Sequence, residues 1–180
     1  YMGAYGEPDQ FRPVDTVIVE DKLYVVDILH HEIEVLHKRT GKLLYKLGKK
    51  GGEPGEMLHP TNIAIGPNGD VFVVETSNFR VQRFTPEGKH VRFYGEVGDT
   101  SGKFARPKGI AIDREGLMHV ADAAFQNVQV FDTNTGKLML AYGQPEKGDG
   151  LSLPAAVRVD YSHMSLFKRF ADPKFTIEYL

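Results

Sequence analysis

Apolar and polar residues alternate over short segments of this chain, and each segment ends at a cluster of Gly, Asn, Asp or Pro. The clearest succession lies between Ile110 and Tyr142, where four such segments follow one another. They are 110–112, 117–121, 128–131 and 137–142. Alternation with a period of two is typical of β-strands with one buried face, and glycine supplies the positive φ that tight turns require. The pattern therefore predicts four short antiparallel strands in this stretch.

The same succession repeats along the chain at a fixed interval. Four prolines lie 47 residues apart, and each opens a similar apolar phrase; they are Pro13, Pro60, Pro107 and Pro154. A period in the range of about 20–50 residues indicates an array of one supersecondary unit. The prolines are therefore interpreted as structural positions of the repeat.

Four antiparallel strands in each repeat predict an all-β fold, a β-propeller made of four-stranded antiparallel blades. Residues 1–180 are predicted to form a single partial propeller. Its predicted parts are the last strand of a preceding blade at 1–6, full blades at 11–48, 58–95 and 104–143, and a partial blade at 153–180. A blade becomes stable by stacking on its neighbours. The residues predicted to point into the layers between blades are Val17, Ile63, Ile65, Ile110 and Ile112.

The repeat pattern stops after Tyr161. Residues 163–171 predict a short amphipathic helix, with Leu166, Phe167 and Phe170 on one side and Asp172-Pro173 at its end. An insertion of this kind maps to one face of an array, which is often a binding face. The alternative is a packed turn without a binding role. The pattern also predicts that the chain is a piece of a longer ring.

The composition of the chain excludes several kinds of functional site. The 180 residues carry a formal net charge of −2 and include no cysteine. Disulfides, thiolate metal sites and cysteine nucleophiles are thereby excluded on this chain. No run approaches the ~18 consecutive apolar residues of a membrane helix, so no membrane insertion is expected from this segment. A net charge this small produces no strong electrostatic attraction to nucleic acid or anionic lipid.

The positions of the acidic residues favour a structural role over a catalytic one. Asp27, Glu75 and Asp122 occupy one repeat position, directly after the second strand of each blade. Because catalysis would need one blade to differ from the others, this recurrence predicts a structural role such as capping a turn. No carboxylate dyad or nucleophile elbow occurs. The sequence therefore predicts no catalytic residue and no cofactor.

Histidines raise the question of metal binding. His30 and His31, with Glu32 and Glu34, could be drawn as a metal cluster. In the third repeat the corresponding residues lie in a polar turn, so these four are predicted to be solvated loop residues. No metal site is predicted.

The third repeat resembles the NHL repeat. The matching residues are Gly95, Gly98, Gly102, Phe104, Pro107, Gly109, Ile110, Ala111, Asp113, 120–122 and 127–131. The resemblance extends over roughly residues 1–160 and implies a six-bladed propeller, of which this chain would hold about half. Its loop lengths and its lack of cysteine resemble those of bacterial extracytoplasmic NHL proteins, which favours a periplasmic or cell-surface location.

The resemblance also brings an enzymatic alternative. Peptidyl-hydroxyglycine lyases with this type of propeller hold zinc near the axis with histidines, some directly after the repeat proline. The corresponding residues here are Val14, Thr61, Lys108 and Ala155, none of which offers an imidazole nitrogen. An enzyme of lyase or hydrolase type would therefore need its active residues in other blades.

Basic residues beside the prolines provide the candidate binding site. Arg12, His59 and Arg106 precede prolines, and Lys108 follows one. If the first strand of each blade lines the axis, these side chains gather at one channel mouth and could hold an anion or an acidic partner segment. The favoured function is therefore a non-enzymatic scaffold that binds another protein. Some NHL domains bind single-stranded RNA, but the aromatic stacking platforms that RNA requires do not recur at these positions, so RNA is the weaker alternative.

Overall fold

Twelve β-strands form three separate four-stranded sheets in the computed structural model, which describes residues 9–143 and 151–163. The first sheet contains β1 (Pro13–Val19), β2 (Lys22–Asp27), β3 (Glu32–His37) and β4 (Leu43–Leu47). The second contains β5 (Pro60–Ile65), β6 (Val71–Glu75), β7 (Arg80–Phe84) and β8 (His90–Tyr94). The third contains β9 (Pro107–Ile112), β10 (Leu117–Asp122), β11 (Asn127–Asp132) and β12 (Leu138–Tyr142). Each sheet is an antiparallel meander with its strands in sequence order, so the predicted all-β fold of four-stranded blades is confirmed.

Turn chemistry explains why the strands end where they do. The second and third strands of each blade are joined by a turn whose last residue has a left-handed backbone, with φ of 61° at His31, 54° at Phe79 and 55° at Gln126. A positive φ is uncommon outside glycine, so its recurrence at one repeat position marks a turn fixed by its surroundings. The same turn shape therefore carries three different side chains.

The blades stack through their apolar faces. One buried cluster joins the first and second blades around Val26, Ile33 and Val73, and another joins the second and third around Phe72, Val120 and other residues. Of the residues predicted to lie in these layers, Ile63 and Ile110 are buried. The partly buried ones that pack against the clusters are Val17, Ile65 and Ile112.

The first strands lie at the inner side of the array. β1 contacts β5, and β5 contacts β9, so neighbouring blades meet along these strands. Asp15 reinforces the contact, because its Oδ2 accepts a hydrogen bond from the backbone N–H of Ile63 at 3.0 Å. A groove of about 690 Å³ follows these strands, with Asp15, Asn62 and Arg158 among its lining residues. The first strands therefore line the inner side of the array.

The segment 151–163 continues this inner row. A Cβ atom at Gly109 would lie 2.4 Å from Cα of Ala156 and 2.7 Å from N of Val157, so only glycine permits this approach of the two backbones. No strand is assigned in 151–163. The predicted strand at 1–6, the predicted helix near 163–171 beyond His163, and the rest of the fourth blade lie outside the described residues. In the described part of the chain, no helix is long and apolar enough to cross a membrane.

Candidate functional site

All three blades place the same elements at one end, which we call the link face. In each blade the first strand begins where the second strand ends, as the pairs Pro13–Asp27, Pro60–Glu75 and Pro107–Asp122 show. The connections between blades and the turns between second and third strands lie at this end as well. These segments are the links 48–59 and 95–106 and the turns 28–31, 76–79 and 123–126.

A bulge follows each repeat proline at the link face. The strand register skips one residue at Val14 and at Thr61, and in the third blade Lys108 and Gly109 together lie opposite Ala121. A bulge leaves its extra residue out of the ladder and can re-aim its side chain. The residue after the proline is therefore a natural place for blade-specific side chains at the axial end.

Arg12, His59, Arg106 and Lys108 lie at the starts of the three adjacent inner strands. The strand topology thus places these predicted binding residues at one end of the inner strands. Arg12, His59 and Arg106 are exposed and Lys108 is half-buried. The side chains of Arg12, Arg106 and Lys108 make no hydrogen bond or ion pair within residues 9–143 and 151–163, whereas Nδ1 of His59 lies 2.8 Å from Oγ of Ser77.

The carboxylates at the recurring repeat position are fully buried beneath these residues. Asp122 accepts hydrogen bonds from the backbone N–H groups of Ala105, Arg106, Ala124 and Phe125 at 2.8–3.1 Å. Because these groups belong to both the link and the turn, the carboxylate ties the two together. Hydrogen bonds of this kind are expected of a residue that has a structural role in the repeat.

Asp27 makes the corresponding contacts in the first blade. It accepts the backbone N–H groups of Arg12 at 3.0 Å and Leu29 at 2.8 Å, and its other oxygen lies 2.5 Å from Nδ1 of His30. Burial raises the pKa of Asp27, but these hydrogen bonds and the nearby imidazole outweigh that effect and hold the pKa below its ordinary value.

In the second blade the carboxylate is longer, and it receives side chains as well as the backbone N–H of Leu58 at 3.0 Å. Glu75 accepts Nε of Arg80 at 2.8 Å and Nε2 of Gln82 at 2.6 Å. Arg80 also donates to the carbonyl of Gly52 at 2.9 Å, and its guanidinium lies 3.8 Å from the ring centroid of Phe93. A cation held between a buried carboxylate and an aromatic face is thus part of the scaffold here.

His31 departs from the sequence prediction. The sequence predicts that His31, Glu32 and Glu34 are solvated residues of a turn. In the structure His31 is only 7% exposed, and Glu32 and Glu34 belong to strand β3. Nδ1 of His31 accepts the backbone N–H of His59 at 3.0 Å, and the two rings meet edge to face at 4.8 Å. The burial was missed because the covering residue comes from the link to the next blade. The available signal was Phe79, a large apolar residue at the same repeat position.

The titration of His31 should make stability depend on pH. Burial, together with the nearby imidazole of His59, lowers the pKa of His31 below its ordinary value. Its folded pKa is therefore below its unfolded pKa, so neutral His31 stabilises the fold fully above a pH of about 6.5, and that contribution is lost as the pH falls through the folded pKa. Lys50, Asp27 and His30 also act on this ring.

The corresponding variant is His31→Gln, which copies Gln126 of the third blade. Denaturant unfolding between about pH 7.5 and 5 should show a steeper loss of stability for the wild-type protein than for the variant. Parallel curves for the two proteins would contradict the role of His31.

Three groups in the first blade come close enough to share a metal ion. Asp27, His30 and Glu32 place ligand atoms within 4.8 Å of one another. These atoms already have partners, because Asp27 contacts His30 and two N–H groups, and Glu32 pairs with Lys46 at 2.5 Å. The cluster therefore satisfies its charges within the protein.

A family model described as the NHL repeat matches residues 57–84, which span the proline, β5, β6 and β7. The match begins in the link and ends at the last residue of the third strand. It therefore covers the elements that build the link face of the second blade.

Similar proteins include both enzymes and proteins without an enzymatic name. The chain is 26% identical over 147 residues to the protein brain tumor of Drosophila melanogaster, covering 79% of this chain and 14% of that protein. It is 30% identical over 132 residues to peptidylglycine alpha-amidating monooxygenase of Rattus norvegicus, covering 67% of this chain and 13% of that enzyme. This chain thus spans only a small part of either relative.

A solved structure supports the fold alone. Virginiamycin B lyase from Staphylococcus aureus superposes with a TM-score of 0.63 at 16% identity, over 87% of this chain and 48% of that one. The three blades described above therefore correspond to part of a larger solved β-sheet array.

Proposed function

Because this chain belongs to the NHL-repeat β-propeller family, we propose that it is a non-enzymatic interaction module that binds an acidic segment of a protein partner at its link face. The contact would centre on the side chains of Arg12, Arg106 and Lys108, which are the mouth cations. His59 would lie at the border of this mouth.

The observation that carries this proposal is that three basic side chains at the starts of the inner strands form no ion pair among the described residues. Elsewhere in the described chain, basic side chains such as Lys46, Arg80 and Arg83 form ion pairs with carboxylates of the protein. Arg12, Arg106 and Lys108 have no such partner among the described residues. Arg39, Lys42 and Lys89 at the opposite end are likewise unpaired in the described part of the chain, but only the first three lie at the starts of the inner strands. Cations that no internal carboxylate neutralises are available to an external one.

The backbone beneath these cations is held in place before a partner arrives. Asp27 fixes the N–H of Arg12, and Asp122 fixes that of Arg106. The carbonyls of the same two residues accept the N–H groups of Ile28 and Ala123. A fixed backbone lowers the ordering cost of binding, since only side chains need to be immobilised.

The enzymatic alternative has less to support it in this chain. The lyase interpretation requires imidazoles after the repeat prolines, and those positions are Val14, Thr61, Lys108 and Ala155. The RNA alternative needs aromatic rings beside the mouth cations. Phe11 precedes Arg12, but the equivalent residues Leu58 and Ala105 are not aromatic, so no stacking platform recurs beside the cations. An acidic protein segment is therefore the better match.

Removing the three cations should weaken binding of an acidic segment. The variant Arg12→Ala/Arg106→Ala/Lys108→Ala is expected to bind a fluorescent oligoglutamate peptide about tenfold or more weakly at low salt. The difference should shrink as salt is added, because screening reduces the attraction between exposed charges. Fluorescence anisotropy at two salt concentrations measures both effects.

The matched control removes three cations from the opposite end of the blades. Arg39, Lys42 and Lys89 are exposed residues of the turns there, and replacing them with Ala changes the net charge equally. Equal weakening by both triple variants would show a general charge effect and contradict the proposed site. Tighter binding of a single-stranded RNA oligonucleotide than of the peptide would overturn the proposal in favour of nucleic acid.

A further inference from the structure

A cavity opens on the link face of the third blade. It has a volume of about 230 Å³ and lies between the link 95–106 and β11. Its lining includes Asp99, Thr100, Ser101, Phe125, Asn127 and Ala141. None of these residues belongs to the mouth described above.

The second blade fills the equivalent space with its own side chains. Asn127 lies one repeat of 47 residues after Arg80, and both are the first residue of the third strand of their blade. Ala141 pairs with Gln129 as Phe93 pairs with Gln82. The arginine and the aromatic ring that stack in the second blade are thus replaced by an asparagine and an alanine in the third. The cavity is the space that a guanidinium and its aromatic platform occupy one blade earlier.

The cavity offers polar groups of its own that can receive such a cation. Asn127 is 9% exposed, and its Oδ1 has no hydrogen-bond partner in the described part of the chain. A buried acceptor without a partner costs free energy, so it favours a ligand that can donate to it. Asp99 adds a carboxylate, and Thr100 and Ser101 add hydroxyl groups.

The remaining walls restrict the shape of the ligand. Phe125 lines the cavity and offers an aromatic ring. The amide of Gln129 already bridges the N–H of Gly102 and the carbonyl of Lys103, both at 2.8 Å, so it closes that side. A planar cation with donors along its edge suits a site with an aromatic wall and several acceptors.

We propose that this cavity binds a guanidinium group, supplied by an arginine side chain of the protein partner at the link face. The arginine source rests on the proposed function, whereas the preference for guanidinium rests on the cavity alone. A lysine ammonium would fit less well, because it is a point charge without the planar fork of donors. An anion is disfavoured by the carboxylate of Asp99.

Nuclear magnetic resonance titration of the protein tests this proposal directly. N-acetyl-arginine amide should bind saturably, shift the side-chain amide of Asn127, and bind about tenfold or more tightly than N-acetyl-lysine amide. Equal affinity of the two probes, or no saturable binding, would overturn the guanidinium site. This result does not depend on the mouth, because Arg12, Arg106 and Lys108 are absent from the cavity.

Two variants test the location. Asn127→Arg/Ala141→Phe copies the second blade and should abolish binding of the arginine probe by filling the cavity. Asp99→Asn should weaken the same probe about threefold or more through loss of one charge. Glu115→Gln, an exposed substitution at the opposite end, is the matched control and should leave the affinity unchanged. Unchanged affinity in both cavity variants would contradict the assignment.

The source of the guanidinium is distinguished by a further pair of probes. A short peptide with arginine flanked by acidic residues should bind at least about tenfold more tightly than methylguanidinium, because it also reaches the mouth cations. Equal affinity would overturn the partner side chain as the source. If the mouth triple variant loses this gain but keeps binding methylguanidinium, both proposals hold. If the triple variant binds the peptide as tightly as wild type, the mouth proposal fails alone.

Discussion

Replacing Asp122 with alanine is expected to lower the free energy of unfolding by about 3–5 kcal/mol, because buried backbone donors lose their acceptor together. The carboxylate is fully buried and receives the N–H groups of Ala105, Arg106, Ala124 and Phe125. These donors cannot all find water without opening the link. Urea unfolding of the wild-type protein and the variant measures the difference.

Two controls separate this effect from ordinary loss of a turn contact. Asp132→Ala removes a carboxylate that also accepts two backbone N–H groups, those of Asn134 and Thr135, but does so at the surface. Water can replace it there, so the loss should be much smaller. Asp122→Asn should fall between the wild-type protein and Asp122→Ala, since one oxygen acceptor remains. Similar losses for Asp122→Ala and Asp132→Ala would contradict the role of burial.

The strands could be predicted because their signals are local. Alternating apolar residues and turn residues such as Gly69 and Gly116 lie within a few positions of the strand ends they determine. The proline spacing then shows that the four-stranded unit repeats every 47 residues. The sheets follow from this information with little help from distant parts of the chain.

The surroundings of individual side chains could not be predicted in the same way. The sequence predicts a solvated His31, yet His59 from the link to the next blade covers its ring. Its burial depends on a contact between residues 28 positions apart, which the pattern within one repeat does not contain. The replacement of Arg80 by Asn127 is visible in the sequence, but the stacking of Arg80 on Phe93 is visible only in the fold.

Comparison between blades separates the scaffold from the sites that can bind a partner. Glu75 and Asp122 use different chemistry for the same task, which is to hold a link against the blade that follows it. In the second blade the carboxylate also receives the guanidinium of Arg80, whereas among the described residues Asp122 receives only backbone N–H groups. Because the third blade is held without an arginine, the vacated position is free to serve binding. Comparing equivalent positions in neighbouring blades thus distinguishes residues that hold the fold from residues that are available to bind.

Replacing Phe104 with alanine is the second substitution expected to have a large effect, with a loss of about 3–5 kcal/mol in the free energy of unfolding. Phe104 is fully buried between the second and third blades, and its ring centroid lies 5.7 Å from that of Phe131. A Cβ atom at Gly95 would lie 2.4 Å from this ring, so the ring packs directly on the start of the link. Its loss would leave a cavity and release the link that carries Asp99 and Arg106.

The chain supplies its own control for this substitution. Met57 occupies the same place in the preceding link, where it is fully buried and forms the bridge with Lys50 that Phe104 forms with Val97. Phe104→Met should therefore cost less than about 1.5 kcal/mol, since it keeps most of the volume and copies a side chain that already fits this architecture. Phe104→Ala should also weaken binding of the arginine probe, because the link forms one wall of the cavity, while Phe104→Met should preserve it. A loss of stability below about 1 kcal/mol for Phe104→Ala, in a folded protein, would show that the link is held by its polar contacts and not by this buried ring.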